Sequence, residues 1–180
     1  GRLGYGNTTN IGDDELPSSV ATVSVGGAPG VTHIAAGTSH TCAVISTGKV
    51  RCWGLGGGRL GYGNTETIGD NEFPADAGDV SVGGDVTQIV AGTNHTCALL
   101  STGKVRCWGT GANGVLGYGN TNNLSSPGDD LSVGGEVTQI AVGGDHTCAV
   151  LSTRKVRCWG SGANGQLGYG NTNNIGDNEF

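Results

Sequence analysis

Glycine supplies 37 of the 180 residues, about three times its usual ~7%. Together with 35% hydrophobic and 5% aromatic residues, this argues against a helical bundle or a doubly wound α/β fold, because glycine destabilises helix interiors. Four prolines without a three-residue glycine period exclude collagen. A net charge of −6 with no Lys/Arg tract leaves nucleic acid little electrostatic hold.

The chain opens on Gly1 with neither Met nor a signal peptide, and reads as a processed chain or a segment of something longer. No run approaches ~18 consecutive apolar residues, so no membrane-spanning helix is expected. After an opening segment, LGYGNTTNIGDDEL, three hairpin cores follow: HTCAVISTGKVRCWG at 40–54, HTCALLSTGKVRCWG at 95–109 and HTCAVLSTRKVRCWG at 146–160. Their tryptophans, Trp53, Trp108 and Trp159, are spaced by 55 and 51 residues, the size of a propeller blade. Each core begins with an alternating run, VTHIAAG at 31–37 in the first, and its two following strands meet at a Ser46-Thr47-Gly48 type of loop. The third loop residue favours the left-handed region, which suits Gly48 and Gly103 and strains Arg154 by ~1 kcal/mol. A glycine-rich LGYGNT segment starts at Leu3, Leu60, Leu116 and Leu167, and a short DVSVGG-type strand precedes the next core. The expectation is an all-β chain of β-propeller blades, four short antiparallel strands each, about three and a half blades in all. Repeat cores lie near 31–54, 86–109 and 137–160, joined by segments 1–30, 55–85, 110–136 and 161–180 in a single array over 1–180.

The pattern A-G-x-x-H-T-C-A-L-L-S-T-G-K-V-R-C-W-G followed by G-A-N-G-x-L-G-Y-G resembles the regulator of chromosome condensation repeat family over essentially the whole chain. The resemblance implies propeller blades of about this length, usually seven to a ring. The family includes a nuclear guanine-nucleotide exchange factor and secreted bacterial binding proteins. It also implies a buried hydrogen-bonding role for His40, His95 and His146, and a structural one for Trp53, Trp108 and Trp159. The sequence departs from the family pattern in holding barely half the blades of a ring and in adding a cysteine pair to every repeat.

With the loop at Ser46-Thr47-Gly48, residues whose numbers sum to 94 oppose one another, which sets Cys42 against Cys52. The same register pairs Cys97 with Cys107 and Cys148 with Cys158, each at a narrow non-hydrogen-bonded position within disulfide reach. Disulfides point to an extracellular, cell-surface or periplasmic setting. The competing zinc reading, His40 with Cys42 and Cys52, lacks a fourth ligand and the close cysteine spacing of zinc sites.

The basic residues Lys49, Arg51, Lys104, Arg106, Arg154, Lys155 and Arg157 read as solvated charges that keep a sheet edge from pairing, with an anion-binding ring as the alternative. Acidic turns at Asp13-Asp14-Glu15, Asp70-Asn71-Glu72, Asp129-Asp130 and Asp177-Asn178-Glu179 lack the order of a calcium loop. The sequons at Asn7, Asn94 and Asn123 permit glycosylation in a secreted protein. No unlike constellation of catalytic groups stands out, so no catalytic residue, metal or cofactor is expected. The leading expectation is a non-enzymatic, extracellular structural or adhesive repeat protein that self-associates head to tail into a fuller propeller or a filament. A secreted protein-binding or inhibitory module is the alternative.

Overall fold

The computed structural model describes residues 1–26 and 30–178. The linking segments 1–30 and 161–180 and the turn ending at Glu179 therefore lie partly outside the described residues. Among the described residues nine strands form three separate antiparallel sheets of three, each in sequential order. The first contains β1 (Val31–Ala36), β2 (His40–Ile45) and β3 (Val50–Gly54); the second, β4 (Val86–Ala91), β5 (His95–Leu100) and β6 (Val105–Gly109); the third, β7 (Val137–Val142), β8 (His146–Leu151) and β9 (Val156–Gly160). Among the described residues, helix is confined to the short 3-10 turns Pro17–Ser19 and Ala112–Gly114. No described helix is long and apolar enough to cross a membrane.

The first hairpin closes through the Ile45 N–H on the Lys49 carbonyl, 2.9 Å, and the Gly48 N–H on the Ile45 carbonyl, 2.8 Å, and Leu100 with Lys104 and Leu151 with Lys155 repeat the pattern. This sets Cys42 opposite Cys52, and likewise Cys97 opposite Cys107 and Cys148 opposite Cys158. All six cysteines are joined in these pairs, with Cα atoms 4.0 to 4.1 Å apart. Gly48 and Gly103 take φ of 77° and 75° at the loop, and Arg154 is held there at 63°. Every first strand carries a bulge, between Val31 and His33 in β1, where the skipped Thr32 hydroxyl donates to the Val44 carbonyl. Thr87 and Thr138 repeat that bond to Leu99 and Val150.

The expected fourth strand is reduced to isolated backbone contacts in the first two repeats. Val80 donates to the Val50 carbonyl at 2.8 Å and Leu131 to the Val105 carbonyl at 2.9 Å. The segments Val80-Ser81-Val82 and Leu131-Ser132-Val133 run straight into paired glycines, which weaken a strand and turn the chain toward the next blade.

Both faces of a blade are apolar. Cys42, Val44, Val50 and Cys52 on one face of the first sheet pack with Ile89, Ala98, Leu100 and Trp108 of the second. Cys97, Leu99, Val105 and Cys107 pack in the same way with Ile140, Ala149, Leu151 and Trp159 of the third. The short segments around Val80 and Leu131 wedge into these two seams. Successive blades thus stack in sequence order, disulfide face onto tryptophan face.

Relief of the one strained hairpin loop gives a direct check. Arg154→Gly should raise the free energy of unfolding in urea by ~0.5–1 kcal/mol, the left-handed penalty of a side chain less the added freedom of glycine when unfolded. An unchanged or lower value would contradict this account of the loop.

Candidate functional site

The seams between blades concentrate nearly all the buried polar groups. The Thr96 hydroxyl donates to the Arg59 carbonyl at 2.8 Å and lies 2.8 Å from His40 Nε2. A hydroxyl has one proton to give, so Nε2 is the donor in the second contact and His40 is the Nε2–H tautomer. The next seam repeats the chain: His95 Nε2 to Thr147 at 3.1 Å, and Thr147 to the Val115 carbonyl at 3.2 Å. His40, His95, Thr96 and Thr147 are at most 1% exposed. The same two carbonyls, of Arg59 and Val115, accept the ring N–H of Trp108 at 2.9 Å and of Trp159 at 3.0 Å. Glycine at positions 61 and 117 makes this approach possible, because a Cβ there would stand 2.7 Å from the indole nitrogen.

The tyrosine of the same LGYG loop faces the other way. Cys42 and Cys52 form a non-hydrogen-bonded pair, so the Cys52 backbone groups point to the outer edge of β3. The Tyr62 hydroxyl meets both of them at 3.2 Å and the Gly78 carbonyl at 3.3 Å. Tyr118 does the same for Cys107, and Tyr169 accepts from the Cys158 N–H at 3.1 Å. Ile68, Leu124 and Ile175 bridge to Gly54, Gly109 and Gly160 one step further along. One loop therefore caps the edge of its own blade and holds the tryptophan and threonine of the next. Burial raises the Tyr62 and Tyr118 phenols above their ordinary range.

The expected roles of the cationic residues divide. Lys49, Lys104, Arg154 and Lys155 are exposed. Arg51 and Arg106 are not solvated edge charges: they fold along the sheet and bind two successive links. Arg51 Nε donates to Asp79 at 3.0 Å while Nη1 donates to the Val25 carbonyl at 2.6 Å. Arg106 repeats this with Asp130 at 2.8 Å and the Val82 carbonyl at 2.9 Å. The edge is closed instead by Tyr62, Ile68 and Val80, which satisfy the outward backbone groups that a bare charge would leave unpaired.

The sequon at Asn94 lies inside a seam, since His95 and Thr96 are buried, whereas Asn7 and Asn123 are exposed. Asp13, Asp14 and Glu15 bring carboxylates within 4.8 Å of one another on an exposed turn. The cysteines, being oxidised, offer no thiolates to zinc. The histidine and threonine bonds recur in the two interior seams, whereas His146, expected to be buried and hydrogen-bonded, is half-buried and makes no such bond among the described residues, because no further blade lies against it there.

The two ends of the stack differ from its interior. Ile89 and Ile140 are 3% and 1% exposed, and their equivalent Ile34 is 68% exposed. Val50 and Val105 are fully buried, and their equivalent Val156 is 61% exposed. One end thus exposes Ile34 on β1, although Ala43, Ile45 and Trp53 of the same blade are 0%, 4% and 3% exposed, and the other end exposes Val156 beside the third disulfide.

Consecutive blades joined by an interlocking loop and a His-Thr seam define a β-propeller repeat array. The chain belongs to the family described as the Regulator of chromosome condensation (RCC1) repeat, which it matches at residues 31–58, 86–115 and 137–166, and again over 102–150. It is 37% identical over 142 residues to the ultraviolet-B receptor UVR8 of Arabidopsis thaliana, covering 77% of this chain and 31% of the relative. Against the probable E3 ubiquitin-protein ligase HERC3 of Homo sapiens it is 35% identical, covering 97% of this chain and 16% of the relative. The chain therefore spans about a third or less of these relatives. Among solved structures, human WBSCR16 superposes with a TM-score of 0.69 at 25% identity, over 82% of this chain and 38% of that one. Yeast RCC1 (Prp20), solved with Kap60, superposes at 0.66 and 22% identity, over 82% and 36%, which supports the fold.

The buried histidines make the seams sensitive to acid. Burial, and for His40 the charge of Arg59, lowers its imidazole from 6.5 to about 4. Burial, with the neighbouring His40 and His146, does the same for His95. The unfolded chain thus takes up protons that the folded chain refuses. The stabilisation is complete above pH 6.5 and is lost as pH falls toward 4. Between pH 6.5 and 5, above the usual carboxylate range, the free energy of unfolding should fall by up to about 1.4 kcal/mol per pH unit for each histidine. A flat urea midpoint across that window would refute the neutral-histidine seam.

Proposed function

We propose that this chain is a non-enzymatic structural or adhesive repeat protein of an oxidising setting, extracellular or at the cell surface, whose end faces join copies head to tail into a fuller propeller or a filament. The observation that carries the reading is the unequal exposure of equivalent residues: Ile34 and Val156 are open where Ile89 and Val105 are closed. In each interior seam the equivalent isoleucine and valine are covered by the neighbouring blade. Because Ile34 and Val156 occupy different positions of the repeat, a contact between them is heterologous, and such contacts either close a ring or propagate. Exposed apolar sheet faces are also unfavourable in an isolated molecule.

Three disulfides in a short chain support the oxidising setting. A non-catalytic role is supported by the repetition itself. Chemistry at a substrate needs unlike groups converging at one place, and here the same groups recur as structural bonds.

Sedimentation velocity tests the association. The 180-residue chain should sediment as dimers or larger species in a concentration-dependent way. Ile34→Asp and Val156→Asp, both at exposed positions, should each return it to monomers with an unchanged circular dichroism spectrum. A wild-type chain that stays monomeric at every concentration would overturn the self-association reading.

A further inference from the structure

At the interior seam between the first and second blades, one loop departs from its copies. Residues 55–60, Leu-Gly-Gly-Gly-Arg-Leu, stand where the second repeat has Thr-Gly-Ala-Asn-Gly-Val-Leu (110–116) and the third has Ser-Gly-Ala-Asn-Gly-Gln-Leu (161–167). Backbone bonds fix the correspondence: Leu55 donates to the Ser39 carbonyl as Thr110 does to that of Asn94, and Gly61 donates to Gly58 as Gly117 does to Gly114. The first copy is therefore one residue shorter, with Gly57 in the place of Asn113, Gly58 in that of Gly114, and Arg59 in that of Val115 and Gln166.

The shortening leaves backbone donors unused. In the second repeat the Gly114 N–H donates to the Gly111 carbonyl at 3.1 Å and the Val115 N–H to the Ala112 carbonyl at 3.3 Å. Neither Gly58 nor Arg59 makes the corresponding bond, since Ala112 has no counterpart and Gly56 stands only two residues before Gly58. Gly57 and Gly58 take φ of 74° and 89°, and free N–H groups in a turn of this kind are a donor set suited to an anion.

The side chain adds a charge to the same turn. A Cβ on Gly57 would stand 3.3 Å from Arg59 Nη2, so the guanidinium lies over the glycines. Among the described residues it makes no ion pair, and Nε is buried without a partner. The half-buried Arg51 and Arg106, by contrast, each hold an aspartate. The fold does not call for this cation. Only the Arg59 carbonyl ties the loop to Thr96 and Trp108, and the carbonyl of the apolar Val115 does the same for Thr147 and Trp159. A partly desolvated charge that serves no structural bond is a cost unless it meets a counter-charge.

We propose that the Gly57-Gly58-Arg59 turn binds an oxyanion, a phosphate or a carboxylate, held by the Arg59 guanidinium and the backbone N–H groups of Gly58 and Arg59. The arginine fork matches two oxygens of either group, and glycine at 57 and 58 lets the ligand approach the backbone. The site belongs to the first loop alone, because the other copies keep the Ala-Asn turn and carry valine or glutamine at the arginine position. It lies within the stack and does not rest on self-association.

The test is proton–nitrogen correlation NMR of the labelled 180-residue chain at neutral pH and constant ionic strength, titrated with sodium phosphate, with sodium acetate, and with sodium chloride as the reference. The amide resonances of Gly57, Gly58 and Arg59 should move saturably with phosphate, with acetate or with both, and not with chloride. Phosphate alone assigns the site to a phosphoryl group, and a response to acetate extends it to carboxylates; either upholds the proposal. Arg59→Gln, which places there the residue of the third repeat, should weaken the response about fivefold. Insertion of alanine between Gly56 and Gly57, which restores the turn of the second repeat, should abolish it with the arginine intact. Amides that respond to neither oxyanion, or that respond equally to chloride or in both variants, overturn the proposal.

Discussion

A three-stranded blade in this protein is apolar on both sides, and a sheet with two apolar faces cannot bury itself. Cys42, Val44 and Val50 need Ile89, Leu100 and Trp108 as much as those residues need them. The seam is therefore the unit of stability, more than the blade, and the array behaves as a one-dimensional stack held by nearest-neighbour contacts. The disulfides sit within that seam. Each closes a sequence separation of 10 residues, which by loop entropy restrains the unfolded chain by about 3 kcal/mol. Their packing role is to give the face a small buried apolar centre.

Burying a seam also means burying polar backbone and imidazole, and the LGYG loop resolves this. Its carbonyl at Arg59 or Val115 serves two donors at once, a threonine hydroxyl and an indole N–H. Its tyrosine satisfies the outward backbone groups of the blade edge. Two blades are thus tied to one loop, so loosening either should loosen the other. The first blade shows the consequence at the stack's beginning: Thr41 reaches the Arg2 carbonyl at only 3.3 Å, and the Trp53 ring N–H is buried without a partner among the described residues.

The gradient along the stack bears on function. Val44 is buried, and its third-blade equivalent Val150 is half-buried; the cysteines follow the same order. The ends are where apolar area remains available, and a repeat protein built from near-identical units can present there only the surfaces it already uses inside. The relatives are longer chains, and additional blades of the same kind would meet the same faces with the same residues.

The hairpins, their register and the cysteine opposition were legible in the sequence, because a three-residue loop and strict alternation leave a strand pair one favourable alignment. The left-handed loop position, with Arg154 as the strained copy, followed from the same local geometry. The recurrence of His40, Trp53 and the LGYG glycines marked them as structural, but not what they touch. That Arg51 would turn inward to Asp79 and Val25, that one tyrosine would cap an edge, and that Ile34 and Val156 would be left open while Ile89 and Val105 are closed depended on which blade lies against which. Short-range rules fix a turn and a register because the interacting atoms are a few residues apart. Contacts such as those of His40 with Thr96, separated by 56 positions, exist only once whole blades have stacked, and only the tertiary structure could decide them.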